Sequence, residues 1–381
     1  MSEPTKIHGT CDERFEAVRT AFASNFSDLG DVGACVSATI DGKTVVDLWG
    51  GTCSTDAGAD QAWQSDTIIN VWSSTKTMSF LVILMLADQG LLDLDAPVAD
   101  VWPEFAANGK AAITTTHLLS HAAGLSGFDQ PTTPDELYDW DLICSRLASQ
   151  APWWEPGTAS GYHAITQGYL LGEVARRVSG RTIGTFLADE VTGPLGADFH
   201  IGTGPEHDAR VAHVIPPSTG LGGDASVDSL AMRTFTTLQL DAAESRTIPW
   251  RRAEIPAAGG HGNARAIARV MAILANEGTL DGTTYLSTEM CNRIFEEQQN
   301  GTDLVLGMPV RLGLGFGLPG EQMPLPNQRC CFWGGWGGSI VIIDMDNRMS
   351  YSYVMNEMRD GTTGDLRGAA PLFALYAGLA G

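Results

Sequence analysis

Ser73 and Lys76, three positions apart, carry the first chemical signal in this 381-residue chain. They stand in Ile68-Ile69-Asn70-Val71-Trp72-Ser73-Ser74-Thr75-Lys76-Thr77-Met78, where an apolar approach meets a serine and a long apolar run, Phe80 to Leu86, follows. A helix opening at Ser73 would put the hydroxyl and the lysine on one face, because residues three apart are neighbours on a helix surface. The hydroxyl would then lie at the positive end of the helix dipole. A serine hydroxyl needs a base to become a nucleophile, and a partly desolvated lysine with a lowered pKa can be that base or part of one. Alone, the same pattern also suits a plain helix cap, with Lys76 solvated, although a first turn favours acids over lysine.

A second signal is Glu155-Pro156-Gly157-Thr158-Ala159-Ser160-Gly161-Tyr162-His163-Ala164, a turn that delivers Tyr162 just before the apolar run Ile165 to Val178. An ammonium stabilises a phenolate, so Tyr162 beside a lysine could take a serine proton and later return it to the leaving group. The plainer reading is an aromatic packed under a loop. A third signal is Phe332-Trp333-Gly334-Gly335-Trp336-Gly337-Gly338-Ser339, which runs into an apolar strand. Glycines there let backbone approach a substrate closely. An oxyanion hole needs two amides aimed at one point, the nucleophile's own and one from an adjacent strand. A glycine bulge in an edge strand would look the same.

His117 and His121 are four apart, but Leu118 stands where a zinc peptidase motif would carry glutamate. They read as structural histidines that hydrogen-bond loops near the site. The chain has no Gly-x-Ser-x-Gly elbow, which removes the α/β-hydrolase alternative.

The elements that must position these residues follow from periodicity. Phe15, Val18, Phe22 and Phe26 predict an amphipathic helix over 12–26. Ala34 to Ile40 and Thr44 to Trp49 predict a hairpin around Asp41-Gly42-Lys43, followed by a loop to about Asp66. A helix is predicted from Ser73 to Gly90, another over 131–150, and helical segments through about Gln299, with loops near Pro216 to Gly223 and Pro256 to Gly262. Ser339 to Asp344 and Met349 to Met355 read as paired strands, and Leu366 to Leu379 as a last helix. With two strands near the start and about three near the end, the simplest closure is one antiparallel sheet built from both termini, with the helical middle inserted.

Composition sets bounds. Hydrophobic content of 44% supports one large domain or two intimate subdomains. A net charge of −22 disfavours nucleic acid and anionic membrane as partners. Seven cysteines, with Cys330-Cys331 adjacent, fit reduced thiols in a cytoplasmic protein. The first six residues lack the pattern of a signal peptide, and Phe80 to Leu86 is too short to span a bilayer. No tandem repeat or low-complexity linker is present.

Together, the three signals resemble the serine β-lactamase-related superfamily: class C β-lactamases, DD-peptidases and, most closely, family VIII carboxylesterases. The anchors are Ser73-Ser74-Thr75-Lys76, the His-Leu-Leu-x-His-x-x-Gly-Leu pattern within Ile113 to Leu125, Pro156-Gly157 before Tyr162, Ala257-Ala258-Gly259-Gly260, and Trp333-Gly334-Gly335. They span nearly the whole chain. The resemblance implies an α/β (α+β) fold: an antiparallel sheet flanked by terminal helices, with a mostly helical inserted domain. Residues 1–75 and 310–381 would form the sheet domain and 76–309 the helical one, with the active site at their junction. It implies Ser73 as acylated nucleophile, Lys76 as the residue that poises the protons, Tyr162 as general base, and the amides of Ser73 and Trp336 as oxyanion donors.

Two departures bear on substrate. The second motif is Tyr162-His163-Ala164, where lactam-recognising relatives usually have asparagine third, and the third motif starts with Trp333, where they usually have lysine. Losing a charged contact costs about 1.5–3 kcal/mol of binding. The expectation is a serine carboxylesterase for small esters, with Trp333, Gly334, Gly335, His163 and Trp154 binding substrate, and with no cofactor and no metal. A β-lactamase, an amide hydrolase or an acyltransferase would use the same residues, and a binding protein on this fold is a further alternative. The oligomeric state stays open.

Overall fold

The computed structural model describes residues 4–218 and 229–381. Both ends of the chain enter one antiparallel sheet. Its strands are β1 (Ile7–Cys11), β2 (Gly33–Ile40), β3 (Lys43–Thr55), β4 (Gly58–Ala62), β5 (Cys330–Gly334), β6 (Ile340–Asp344) and β7 (Met349–Met355). Among the described residues the order is β1-β3-β2-β7-β6-β5, with β4 paired to β3. The two ends join where β2 meets β7, in a ladder running from Ala34–Met355 to Ile40–Met349. Strand β5, which carries Trp333 and Gly334, is an edge strand.

The helices that matter to the site are α1 (Glu16–Asp28), α2 (Lys76–Asp88), α3 (Thr166–Ser179), α4 (Ala264–Ala275) and α5 (Leu366–Ala380). Strands β6 and β7 are buried throughout because both faces of the sheet are covered. Neighbouring residues of β7 show the alternation: Ser350 Oγ donates to Ala268 O of α4 at 2.6 Å, and Tyr351 OH donates to Gly368 O of α5 at 2.6 Å. Helix α1 packs beside α5. Helix α4 falls within residues 76–309, yet it lies on β2, β6 and β7, since its run of alanine and branched apolar residues fits the strand surface. Helix α2 is buried from Lys76 to Leu86 and packs against α3, as a helix apolar on all sides must.

Several expectations need correction. The stretch after Trp49 is not a loop: β3 continues to Thr55 and turns back as β4, because partner backbones supply the ladder despite its Gly, Ser and Asp content. Strand β1 carries no alternating pattern, being an edge strand with an exposed His8-Gly9-Thr10. The segment over 131–150 splits into a 3-10 turn, Pro134–Tyr138, and a helix, Trp140–Ser149. Residues 219–223 of the loop expected near Pro216 to Gly223 lie outside the described residues. A small sheet was not foreseen: Phe199–Ile201, Gly260–Gly262, Ile68–Asn70 and Val211–Ala212 pair in that order. It holds the approach to Ser73, with Asn70 opposite His261 and Val71 N donating to Gly260 O at 2.9 Å.

All seven cysteines are free thiols. Among the described residues, no helix is long and apolar enough to cross a membrane.

Candidate active site

Ser73 does not open an α-helix directly. It sits in a 3-10 turn, Trp72–Thr75, and the α-helix begins at Lys76. The residue before it, Trp72, has φ of 49°, a left-handed conformation that is costly for a bulky side chain. Aromatic packing holds it there: its ring lies 5.4 Å from Trp250 and 4.9 Å from Trp336. The turn that carries Ser73 is thus a strained connection between a short strand and a buried helix.

Ser73, Lys76 and Tyr162 meet. Tyr162 OH donates to Ser73 Oγ at 2.6 Å. Lys76 Nζ lies 3.2 Å from Ser73 Oγ and 3.4 Å from Tyr162 OH. It also donates to Ala164 O at 2.7 Å and Ala257 O at 3.0 Å. Burial holds the Lys76 amine well below its ordinary range and pushes the Tyr162 phenol above its own. The hydrogen bond with Ser73 opposes the Tyr162 shift, and the charge of Asp303 adds to it. A neutral amine has two N–H groups and one lone pair. In that form the two carbonyls would take the N–H groups and the lone pair would be left for the Ser73 hydroxyl, since the Tyr162 proton already goes to Ser73 Oγ. Burial thus disfavours both charged forms, the ammonium and the phenolate.

The glycine-rich segment abuts the same turn. A Cβ on Gly335 would lie 2.4 Å from Val71 O and 3.2 Å from Ser74 N, so only glycine lets the two backbones approach this closely. Ser339 Oγ donates to Val71 O at 3.1 Å and bonds Ser74 Oγ at 2.9 Å. In the turn from Gly335 to Gly338, the amides of Gly335, Gly337 and Gly338 donate to Ser339 O, Gly361 O and Gly335 O. Among the described residues the Trp336 amide has no such acceptor, which suits an oxyanion donor.

Two cavities flank the set. One, about 540 Å³, is lined by Tyr162, Trp333 and Gly334. The other, about 490 Å³, is lined by Ala164 and Trp336. Trp333 stacks on His121 at 5.4 Å and meets Phe80 edge-on at 5.5 Å.

His163 and Trp154, expected to touch substrate, line neither cavity. His163 is fully buried: its Nδ1 bonds Gly161 O at 2.6 Å and its Nε2 accepts from Leu125 N at 2.9 Å. Burial pushes it down to about 3, so it is neutral. Trp154 Nε1 donates to Ala159 O at 3.0 Å, and its ring fills the space under Gly161. Both support the loop that carries Tyr162. His117 and His121 hold loops, as their reading as structural residues requires. Thr114 N donates to His117 Nδ1 at 3.2 Å, and His163 N donates to His121 Nδ1 at 3.0 Å.

Sequence reasoning missed Asp303, whose Oδ1 accepts from Tyr162 N at 3.0 Å. Nothing local marks it, since the contact spans 141 residues. It also missed the grouping of Asp198, His200 and His207, whose ligand atoms lie within 4.8 Å of one another. Arg210 pairs with Asp198 through both of its terminal nitrogens and reaches His207 Nδ1 at 2.6 Å, so an internal cation already occupies this cluster.

Comparison with known proteins decides the family. The beta-lactamase family profile matches residues 22–375. The chain belongs to the beta-lactamase family. It is 35% identical over 368 residues to the esterase/beta-lactamase LipL of Mycobacterium tuberculosis, covering 93% of this chain and 83% of that one. The crystal structure of a family VIII carboxylesterase superposes with a TM-score of 0.91 at 42% identity, covering 98% of this chain and all (100%) of that chain. A penicillin-binding protein homologue from Caulobacter crescentus superposes with a TM-score of 0.90 at 39% identity, with coverage of 98% and 100%. The antiparallel sheet and mixed α/β architecture described above are those of this family's structures.

Proposed function

We propose that this protein, a serine ester hydrolase on the beta-lactamase fold, cleaves small carboxylic esters through an acyl-enzyme on Ser73, with Lys76 and Tyr162 moving the protons. The observation that carries this reading is the three-way meeting of Ser73 Oγ, Tyr162 OH and Lys76 Nζ within 2.6–3.4 Å. At rest the Tyr162–Lys76 pair holds one exchangeable proton, on the phenol. Ser73 Oγ attacks the ester carbonyl carbon, its proton enters the pair, and Lys76 becomes the ammonium. The carbonyl oxygen gains negative charge and is received by the amides of Ser73 and Trp336. The C–O bond to the alcohol then breaks, Tyr162 protonates the departing oxygen, and Lys76 returns a proton to Tyr162. In deacylation a water gives a proton to the pair as its oxygen attacks the acyl carbon, the bond from that carbon to Ser73 Oγ breaks, the pair returns the proton to Ser73 Oγ, and the acid leaves.

Esters are favoured over β-lactams by Ala164 and Trp333. The first offers no side-chain amide and the second no cation for a lactam's carboxylate. The name of LipL joins esterase and β-lactamase, and one similar structure is a penicillin-binding protein homologue, so both activities belong in the test. Wild type and Ser73→Ala are assayed side by side on a short-chain nitrophenyl ester and a chromogenic cephalosporin. Ester turnover that vanishes in the variant, with little lactam hydrolysis, is the expected result. Faster turnover of the cephalosporin would reverse the substrate reading, and activity surviving in Ser73→Ala would reassign the nucleophile.

A further inference from the structure

Tyr162 lines one cavity, and Trp336, the proposed oxyanion donor, lines the other. Resting on the ester-hydrolase reading, the leaving oxygen must lie on the side of the phenol that protonates it. Tyr162 lines the 540 Å³ cavity, so that cavity takes the alcohol half of the ester, and the 490 Å³ cavity takes the acyl half. The alcohol cavity is walled by Leu306, Met308, Val310, Leu318 and Phe332, which suit an apolar group.

Asp303 stands in the same wall. It is 2% exposed. Its Oδ1 accepts from the amides of Tyr162 at 3.0 Å, Val305 at 2.9 Å and Leu306 at 2.8 Å, so backbone N–H groups rather than a cation hold it. Arg311 also lines the cavity, but its guanidinium is taken by Glu297 and Pro319 O. Glu321 adds a second carboxylate to the lining. An anion entering this space would meet the carboxylates of Asp303 and Glu321 beside low-dielectric walls, where like charges repel most strongly.

We propose that Asp303 is a specificity-determining residue: its carboxylate makes the alcohol cavity select uncharged apolar alcohol groups and reject those that carry a carboxylate. Trp333 alone would merely fail to attract an anion, whereas Asp303 acts against it.

The test uses the acetate esters of methyl 4-hydroxybenzoate and of 4-hydroxybenzoate, which carry a methyl ester or a carboxylate at the same place on the alcohol side, and reads the change in their ratio between variants so that their intrinsic reactivities cancel. Wild type should favour the neutral ester in kcat/KM. Asp303→Asn keeps an Oδ1 acceptor for the three amides while removing the charge. It should raise the ratio of kcat/KM for the anionic ester over the neutral one by about tenfold. A parallel fall for both esters, or an unchanged ratio, would mean that Asp303 only supports the Tyr162 loop and would overturn the proposal. If Asp303→Asn does not fold, Met308→Lys places a cation in the same wall with Asp303 intact. It should favour the anionic ester selectively, and an unchanged ratio would again overturn the assignment. Wild type inactive on both esters would instead refute the ester-hydrolase reading on which the assignment rests.

Discussion

Ser74 and Ser339 lie 265 residues apart in the chain and share a hydrogen bond of 2.9 Å, which fastens the segment between β5 and β6 to the Trp72–Thr75 turn. Because Ser339 also donates to Val71 O, one hydroxyl ties the two backbones whose amides would bind the oxyanion. Ser339→Ala should lower kcat by about tenfold with KM nearly unchanged, since the lost alignment matters most in the transition state. The stability cost should be about 1 kcal/mol, one buried hydrogen-bonding hydroxyl. Equal changes in kcat and KM would show that the clamp serves ground-state binding instead.

Lys76→Ala and Tyr162→Phe should each lower kcat/KM by roughly 100-fold or more, as expected for positioned acid–base groups. The double variant should lose little beyond either single one, because the two groups act as one proton-holding pair. Additive losses in steady-state rates would separate their roles.

The pH profile follows from the two shifts. Activity needs an unprotonated Lys76 and a protonated Tyr162. At their ordinary values, 10.5 and 10.0, that combination would be scarce at any pH. Burial lowers the first and raises the second, which opens a window between them. Thus kcat/KM should rise as Lys76 loses its proton, hold across a plateau, and fall only as Tyr162 ionises in the alkaline range. An alkaline limb close to neutrality would instead place a phenolate on the resting enzyme.

Ala164→Asn combined with Trp333→Lys should raise cephalosporin hydrolysis relative to ester hydrolysis, since the pair restores an amide and a cation to the flanking cavities. Rates on both chromogenic substrates measure it. No gain would locate the preference in cavity shape and in Asp303.

His163→Ala should act on stability. It leaves the buried Leu125 amide without its acceptor, at a cost of about 1–3 kcal/mol, seen as a lower Tm. A KM effect without loss of stability would return His163 to the substrate-binding residues.

Much of the architecture was legible from local pattern. The alternation in Ala34 to Ile40 and the apolar run from Ile340 to Asp344 marked the strands that pair the two ends of the chain. Helix α2 was evident from its unbroken apolar run. Strands β1 and β4 were not, because edge strands with one solvated side need no apolar period. Residue type and spacing left Ser73 and Lys76 open between catalysis and a helix cap, and Tyr162 between a base and a packed aromatic; the resemblance of the three motifs in order is what singled them out.

The amino-acid sequence by itself determined the local surroundings of Ser73 and Lys76 and the absence of an amide and a cation from the second and third motifs. Each of these lies within a few residues of its neighbours, where spacing fixes geometry. Only the tertiary structure decided that Lys76 is desolvated beside Ser73 and Tyr162, that His163 and Trp154 face inward, and that Asp303 walls the cavity beside Tyr162. Those properties depend on desolvation and on contacts spanning 141 residues or more, such as Asp303 with Tyr162 and Ser339 with Ser74, which no local pattern encodes.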